Sequence, residues 1–281
     1  METAREEVAQ ERVAALVQER APAGSGVVFA TQVGSRSYNL QREDGGSDVD
    51  FAGIYAAPPS AFWGLARPPA NLASGGGAKG EAVVDVQVNE VATFANLLLT
   101  GNPAAVELMW AEPEKQGSWW AVGGEGSSST EEAPLGTWAS LRQHRDQFLS
   151  RQFVKQCLAF AQGQIKQAET KPEANGKKAR LISSLIVYNA LRLLQVAHGV
   201  LGGRSLRLWW EGEEREALMA VRRGDVPLPE ALAAAKDAAQ RLDARKPWTA
   251  LPDKADAVWL DAWLLALRQQ QHTQSHSRTQ H

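Results

Sequence analysis

The sequence predicts an α+β fold, a small mixed sheet flanked by helices and followed by a C-terminal helical domain. Three observations predict it. Strand-like segments are confined to the first third of the chain. A stretch at 113–134 is dominated by Gly, Ser and Glu. Beyond it, nearly every segment repeats its apolar residues at helical spacing. The expected organisation is an α/β domain at 1–112, a flexible low-complexity insert at 113–134, a helical domain at 135–268 and a polar, disordered tail at 269–281.

The elements follow in order. Glu2 to Glu19 reads as a helix, with Val8, Val13, Leu16 and Val17 near helical spacing. Val27 to Val33 is rich in β-branched and apolar residues and ends at Gly34, as a buried strand would. Ser47 to Tyr55 is a second strand, and the Pro- and Gly-rich run from Ala56 to Gly80 is a loop. Ala82 to Val88 is a third strand. Asn89 to Thr100 is helical and stops at Gly101-Asn102-Pro103. The later helical segments are Leu135–Ala168, Ala174–Leu201, a stretch near Glu211–Arg223, Leu228–Leu242 and Ala255–Arg268.

Bulk properties narrow the class. The 281 residues are 44% hydrophobic and 22% charged, as in ordinary globular proteins. A net charge of −2 gives no global attraction to nucleic acid, so any basic groove must be local. Cys157 is the single cysteine, which excludes a disulfide framework and a Cys-rich zinc site. The N-terminus is acidic, and no uninterrupted apolar stretch reaches bilayer length. The expectation is therefore a cytoplasmic protein with no membrane partner. The sequence carries no signal for an oligomeric state.

The chemistry concentrates between Gly34 and Asp50, GSRSYNLQREDGGSDVD. In a strand, residues i and i+2 share a face, so Asp48 and Asp50 stand side by side while Val49 and Phe51 face the core. Adjacent like charges repel unless a cation lies between them, and hard oxygen ligands suit Mg²⁺ or Mn²⁺. In the third strand, Val84, Val86 and Val88 form an apolar face. Asp85 lies opposite with Val83 and Gln87, a candidate third carboxylate. Gly34 permits positive φ or close approach of the backbone to a ligand. The N–H groups after it, from Ser35 on, could nest an anion, with Arg36 and Arg42 adding positive charge. Arg192, on an otherwise apolar helix, could face a cleft and bind phosphate, or pair at the surface. Taken singly, Asp-x-Asp and Gly-Ser are common loop features; their weight lies in the combination. The five histidines lack metal-ligand spacing. The pairs Trp119-Trp120 and Trp209-Trp210 fit packing better than base stacking.

Together these residues resemble the DNA polymerase β-type nucleotidyltransferase superfamily, whose signature is an apolar strand, Gly-Ser, a gap of about nine to thirteen residues and an apolar-flanked Asp-x-Asp. A finer likeness is to the predicted RNA-repair, or RNA-ligase-associated, nucleotidyltransferases. It rests on GSRSYNL with SDVDFAGIY, on Asp85 to Trp110, on Leu141–Gln164 and on Tyr188–Leu194 with Ala220–Asp225 and Leu251-Pro252-Asp253. The resemblance implies a nucleotidyltransferase catalytic domain at 1–112 that transfers NMP from an NTP to a hydroxyl acceptor. It implies two Mg²⁺ (or Mn²⁺) ions on Asp48, Asp50 and Asp85, and nucleotide binding by Gly34, Ser35, Arg36 and Arg192. It implies an RNA end in RNA repair as one acceptor; a protein hydroxyl or a small molecule are others. Three departures stand out: Asn39, where the family often has Gly; Asn189, where it commonly has His; and the absence near Leu185 of the family's usual Lys. They keep open a non-catalytic nucleotide- or RNA-binding protein, or a protein-interaction module, on the same fold.

Overall fold

The computed structural model describes residues 2–42, 49–75, 84–111, 132–170 and 177–278. Most of the expected insert, including Trp119-Trp120, lies outside these residues, and so does Asp48.

The sheet has four strands: β1 (Gly26–Val33), β2 (Val49–Ala56), β3 (Asn71–Ser74) and β4 (Val84–Glu90), in the order β1-β2-β4-β3. β2 runs antiparallel to β1 and parallel to β4, while β3 is antiparallel to β4, so the sheet is mixed. β3 lies inside the stretch expected to be a loop. It has four residues, and only Leu72 is buried, so its sequence shows no alternation to read.

Strand parity sorts the residues onto two faces. One face carries Phe51, Tyr55, Val86 and Val88 and packs against α1 (Glu2–Arg20) through Val13, Leu16 and Val17. The opposite face carries Asp50 and Ile54 on β2, and Asp85 and Gln87 on β4. Towards this second face lie α2 (Val91–Leu99) and α3 (Pro103–Leu108). The Glu90 carboxylate caps α2 by accepting from the Ala92 N–H at 2.7 Å, and Asn102 caps α3 by accepting from the Ala105 N–H at 3.1 Å.

Beyond α3 the described residues are mostly helical, as expected. The segment 135–168 is broken into α4 (Trp138–Gln143), a 3₁₀ turn at Arg145–Phe148 and α5 (Arg151–Thr170). Then follow α6 (Lys177–Leu201), α7 (Gly212–Arg223), α8 (Leu228–Ala244) and α9 (Ala257–Arg278). Leu181–Leu201, by length and composition, is apolar enough to span a bilayer, although Ser, Asn, Arg, Gln and His interrupt it. It is 67% buried, because α6 packs against α5, α7 and α8 as the central helix of this part. One apolar cluster runs from Val28 and Phe29 through Trp138, which stacks on Phe29 at 4.2 Å, to Trp263 and Leu267. The sheet and the helices thus share a core.

The tail expected to be disordered from 269 instead continues α9 to Arg278. Polar contacts anchor it. Arg268 pairs with Glu90 at 2.5 Å and donates to the Ala57 carbonyl at 2.6 Å. Gln270 donates to the Leu135 carbonyl at 2.8 Å, and Gln271 is buried. Hydropathy does not register such contacts.

Candidate functional site

β1 ends at Val33, and Gly34 turns the chain with φ +75. The turn closes through the Leu40 N–H donating to the Ser35 carbonyl at 2.8 Å and the Ser37 hydroxyl donating to the Gly34 carbonyl at 2.9 Å. The positive φ favours glycine here, and a Cβ on Gly34 would push aside the Oδ2 of Asp50, which lies against it. Asn39 adopts φ 58, the left-handed conformation that asparagine tolerates better than most residues. Its departure from the family pattern leaves the turn intact.

Asp50 on β2 and Asp85 on β4 are direct Cα partners across a parallel pair. Neighbouring strands lie about 4.8 Å apart, which sets the two acids side by side on one face. Both line an open cleft of about 550 Å³, within the roughly 300–1,000 Å³ of small-molecule sites. Asp48 lies outside the described residues, and among the described residues no three acids, histidines or cysteines form a cluster. The structure therefore brings together two of the three predicted carboxylates. Their pairing suits a hard divalent cation held with substrate oxygens.

One wall of the cleft is the turn, through Gly34, Ser37 and Tyr38. The sheet floor continues from the acids to Ala52, Gln87 and Asn89. The facing wall is α3 with Leu208, and it is largely apolar apart from Asn102 and Glu107. The described lining holds acids and amides but no Lys, Arg or His. Ser35 and Arg36 belong to the turn but not to this lining. Ser37, two residues on from Ser35, lines the cleft.

Arg192 requires a correction. It does not reach the cleft. Its side chain is 7% exposed and pairs with Glu107, itself 5% exposed, with Nη1 to Oε1 at 2.6 Å and Nη2 to Oε2 at 3.4 Å. The guanidinium also lies over the Tyr38 ring at 4.1 Å, and the Tyr38 hydroxyl donates to Glu107 at 2.6 Å. A fully engaged buried carboxylate competes for the arginine more effectively than a distant phosphate. Burial pushes the Tyr38 phenol well above its ordinary value; Arg192 opposes this and Glu107 reinforces it. For Arg192, burial pulls downward, but Glu107 and Tyr38 outweigh it and raise the guanidinium.

The outer side of the turn is gripped by the helical part of the chain. The Asn39 amide donates to the Trp210 carbonyl at 2.9 Å, and the Trp210 N–H donates to the Tyr38 carbonyl at 3.1 Å. Arg215 donates to the Asn39 carbonyl at 2.8 Å, and Arg222 donates to that of Leu40. Tyr38, Asn89, Asn102 and Glu107 were not among the site residues expected from the sequence, although Asn102 and Glu107 lie in a stretch that carries the family likeness. The signal for Glu107 is a lone acid among apolar residues (AAVELMW), complementary to the lone Arg192 among apolar residues of α6.

The site is thus a mixed sheet with paired acids on its middle strands, beside a glycine turn. Residues 6–117 match the RlaP family model, described as the RNA repair pathway DNA polymerase beta family. The resemblance read from the sequence therefore holds over this part of the chain. Among solved structures, a nucleotidyltransferase-like protein from Exiguobacterium sibiricum 255-15 is 11% identical, with a TM-score of 0.31, over 84% of this chain and 75% of its own. No curated protein matches.

Proposed function

We propose that the protein is a metal-dependent nucleotidyltransferase that transfers a nucleoside monophosphate from an NTP to a hydroxyl. The observation that carries this reading is the pairing of Asp50 and Asp85 across β2 and β4, beside the Gly34 turn, in a cleft whose described lining has no basic side chain. A triphosphate entering such a cleft needs its charge neutralised by cations. Asp50 and Asp85, with Asp48, are the groups suited to hold two Mg²⁺ or Mn²⁺ ions, which would supply that charge and acidify the acceptor hydroxyl. The Gly34–Leu40 turn offers backbone N–H groups to the β- and γ-phosphates. Glu107 is already neutralised by Arg192, so it adds no net charge against the substrate. In the reaction the acceptor oxygen bonds to the α-phosphorus, the bond to the bridging oxygen breaks, and pyrophosphate leaves. The hydroxyl proton passes to Asp85 or to solvent. The name of the matching family favours an RNA end as the acceptor.

The test uses the full chain with Mg²⁺ or Mn²⁺, labelled NTPs and RNA ends, protein or small alcohols as acceptors, following labelled product and pyrophosphate. Asp50→Asn and Asp85→Asn should each lower transfer on the order of 100-fold, with the fold intact by circular dichroism. Equal turnover in wild type and variants, or NTP binding with no pyrophosphate release for any acceptor, rejects the reading.

A further inference from the structure

The cleft does not end at the acids. Along β4 the same face presents Asp85, then Gln87, then Asn89, and all three line the cleft. Two residues of strand advance about 7 Å, so the two amides stand at successive steps away from the carboxylate end. Ala52 of β2 and Ala73 of β3 are the register partners of Gln87, so short side chains flank it on both sides. Neither amide takes part in a hydrogen bond among the described residues. Ala104, Ala105 and Leu208, small or apolar, line the same cleft. The space beyond the acids thus joins two hydrogen-bonding amides to a lining that is largely apolar apart from Asn102 and Glu107.

We propose that this amide end is a base-reading subsite, in which Gln87 and Asn89 select the NTP by the edge of its nucleobase. This rests on the nucleotidyltransferase reading of the same cleft. A nucleotide whose phosphates lie at Asp50 and Asp85 carries its base one ribose further along the floor. An amide presents a donor and an acceptor side by side, the arrangement that pairs bidentately with a base edge. The flat ring packs against the apolar part of the lining, and its polar edge meets the amides. A site built to hydrogen-bond a substrate rejects an analogue with the wrong pattern, because its own polar groups are then left unpaired.

Binding of ATP, GTP, CTP, UTP and tripolyphosphate to the full chain with Mn²⁺ tests the proposal by calorimetry. Wild type should prefer one base by about tenfold over the weakest. Gln87→Leu and Asn89→Leu should each compress that spread to within about threefold, leaving tripolyphosphate affinity and the thermal midpoint unchanged. Gln87 is exposed, so its replacement does not threaten the core. A spread that survives both variants, or a wild type indifferent to the base, overturns the subsite while leaving the nucleotidyltransferase reading standing. Absence of Mn²⁺-dependent tripolyphosphate binding in wild type overturns both.

Discussion

The two oxygens of Glu107 accept from the Tyr38 hydroxyl and from both terminal nitrogens of Arg192. Removing one charge of a buried pair leaves the other unpaired in a poor solvent for ions. Glu107→Gln should therefore destabilise the protein by about 3–5 kcal/mol, measured from urea midpoints. Glu107→Leu combined with Arg192→Met should recover much of that loss, since neither charge then remains; a double variant as unstable as the sum of its singles would contradict this. Gly34, Asp50 and Asp85, which the structure brings to one cleft, stood out in the sequence because each obeys a local rule: a turn after a strand, or a period of two. The partner of Arg192 was not legible, because an arginine's partner is set by the fold. Glu107 is 85 residues away, and nothing near Arg192 in the chain announces it.

At the scale of elements, long strands and amphipathic helices were legible, and elements held by polar contacts were not. β3 is a four-residue edge strand whose pairing partner, β4, supplies the order that its own sequence lacks. The end of α9 is the same case. Its composition reads as a solvated tail, but Arg268 reaches Glu90, which is 4% exposed. Arg268→Ala should cost about 3 kcal/mol, because it strands the buried Glu90 carboxylate. Arg207→Ala, which breaks the exposed pair with Glu214, should cost no more than about 1 kcal/mol. Comparing their denaturant midpoints checks the contrast, and equal losses would mean that α9 does not depend on that anchor.

Over the whole molecule, the chain's three tyrosines share one electrostatic character. Tyr38, Tyr55 and Tyr188 are all raised above the ordinary phenol value, in each case chiefly by burial, and Tyr55 reaches about 12. The unfolded chain releases these protons near pH 10, whereas the folded chain keeps them. The stability tied to the neutral phenols is therefore fully present below about pH 10 and is lost as pH rises through about 12. Tyrosinate absorbance should appear together with unfolding in an alkaline titration; ionisation near pH 10 with the fold intact would contradict it. The clasp on the Gly34–Leu40 turn has a consequence in time. Its partners Trp210, Arg215 and Arg222 lie 171 to 182 residues further along the chain. On the ribosome the chain emerges from its N-terminus. The turn is made early, yet it must wait until the helices near its far end have been synthesised before its carbonyls find their donors. An unfinished chain thus holds its acids without a set Gly34–Leu40 turn, and this corner of the cleft is among the last parts of the molecule to take shape.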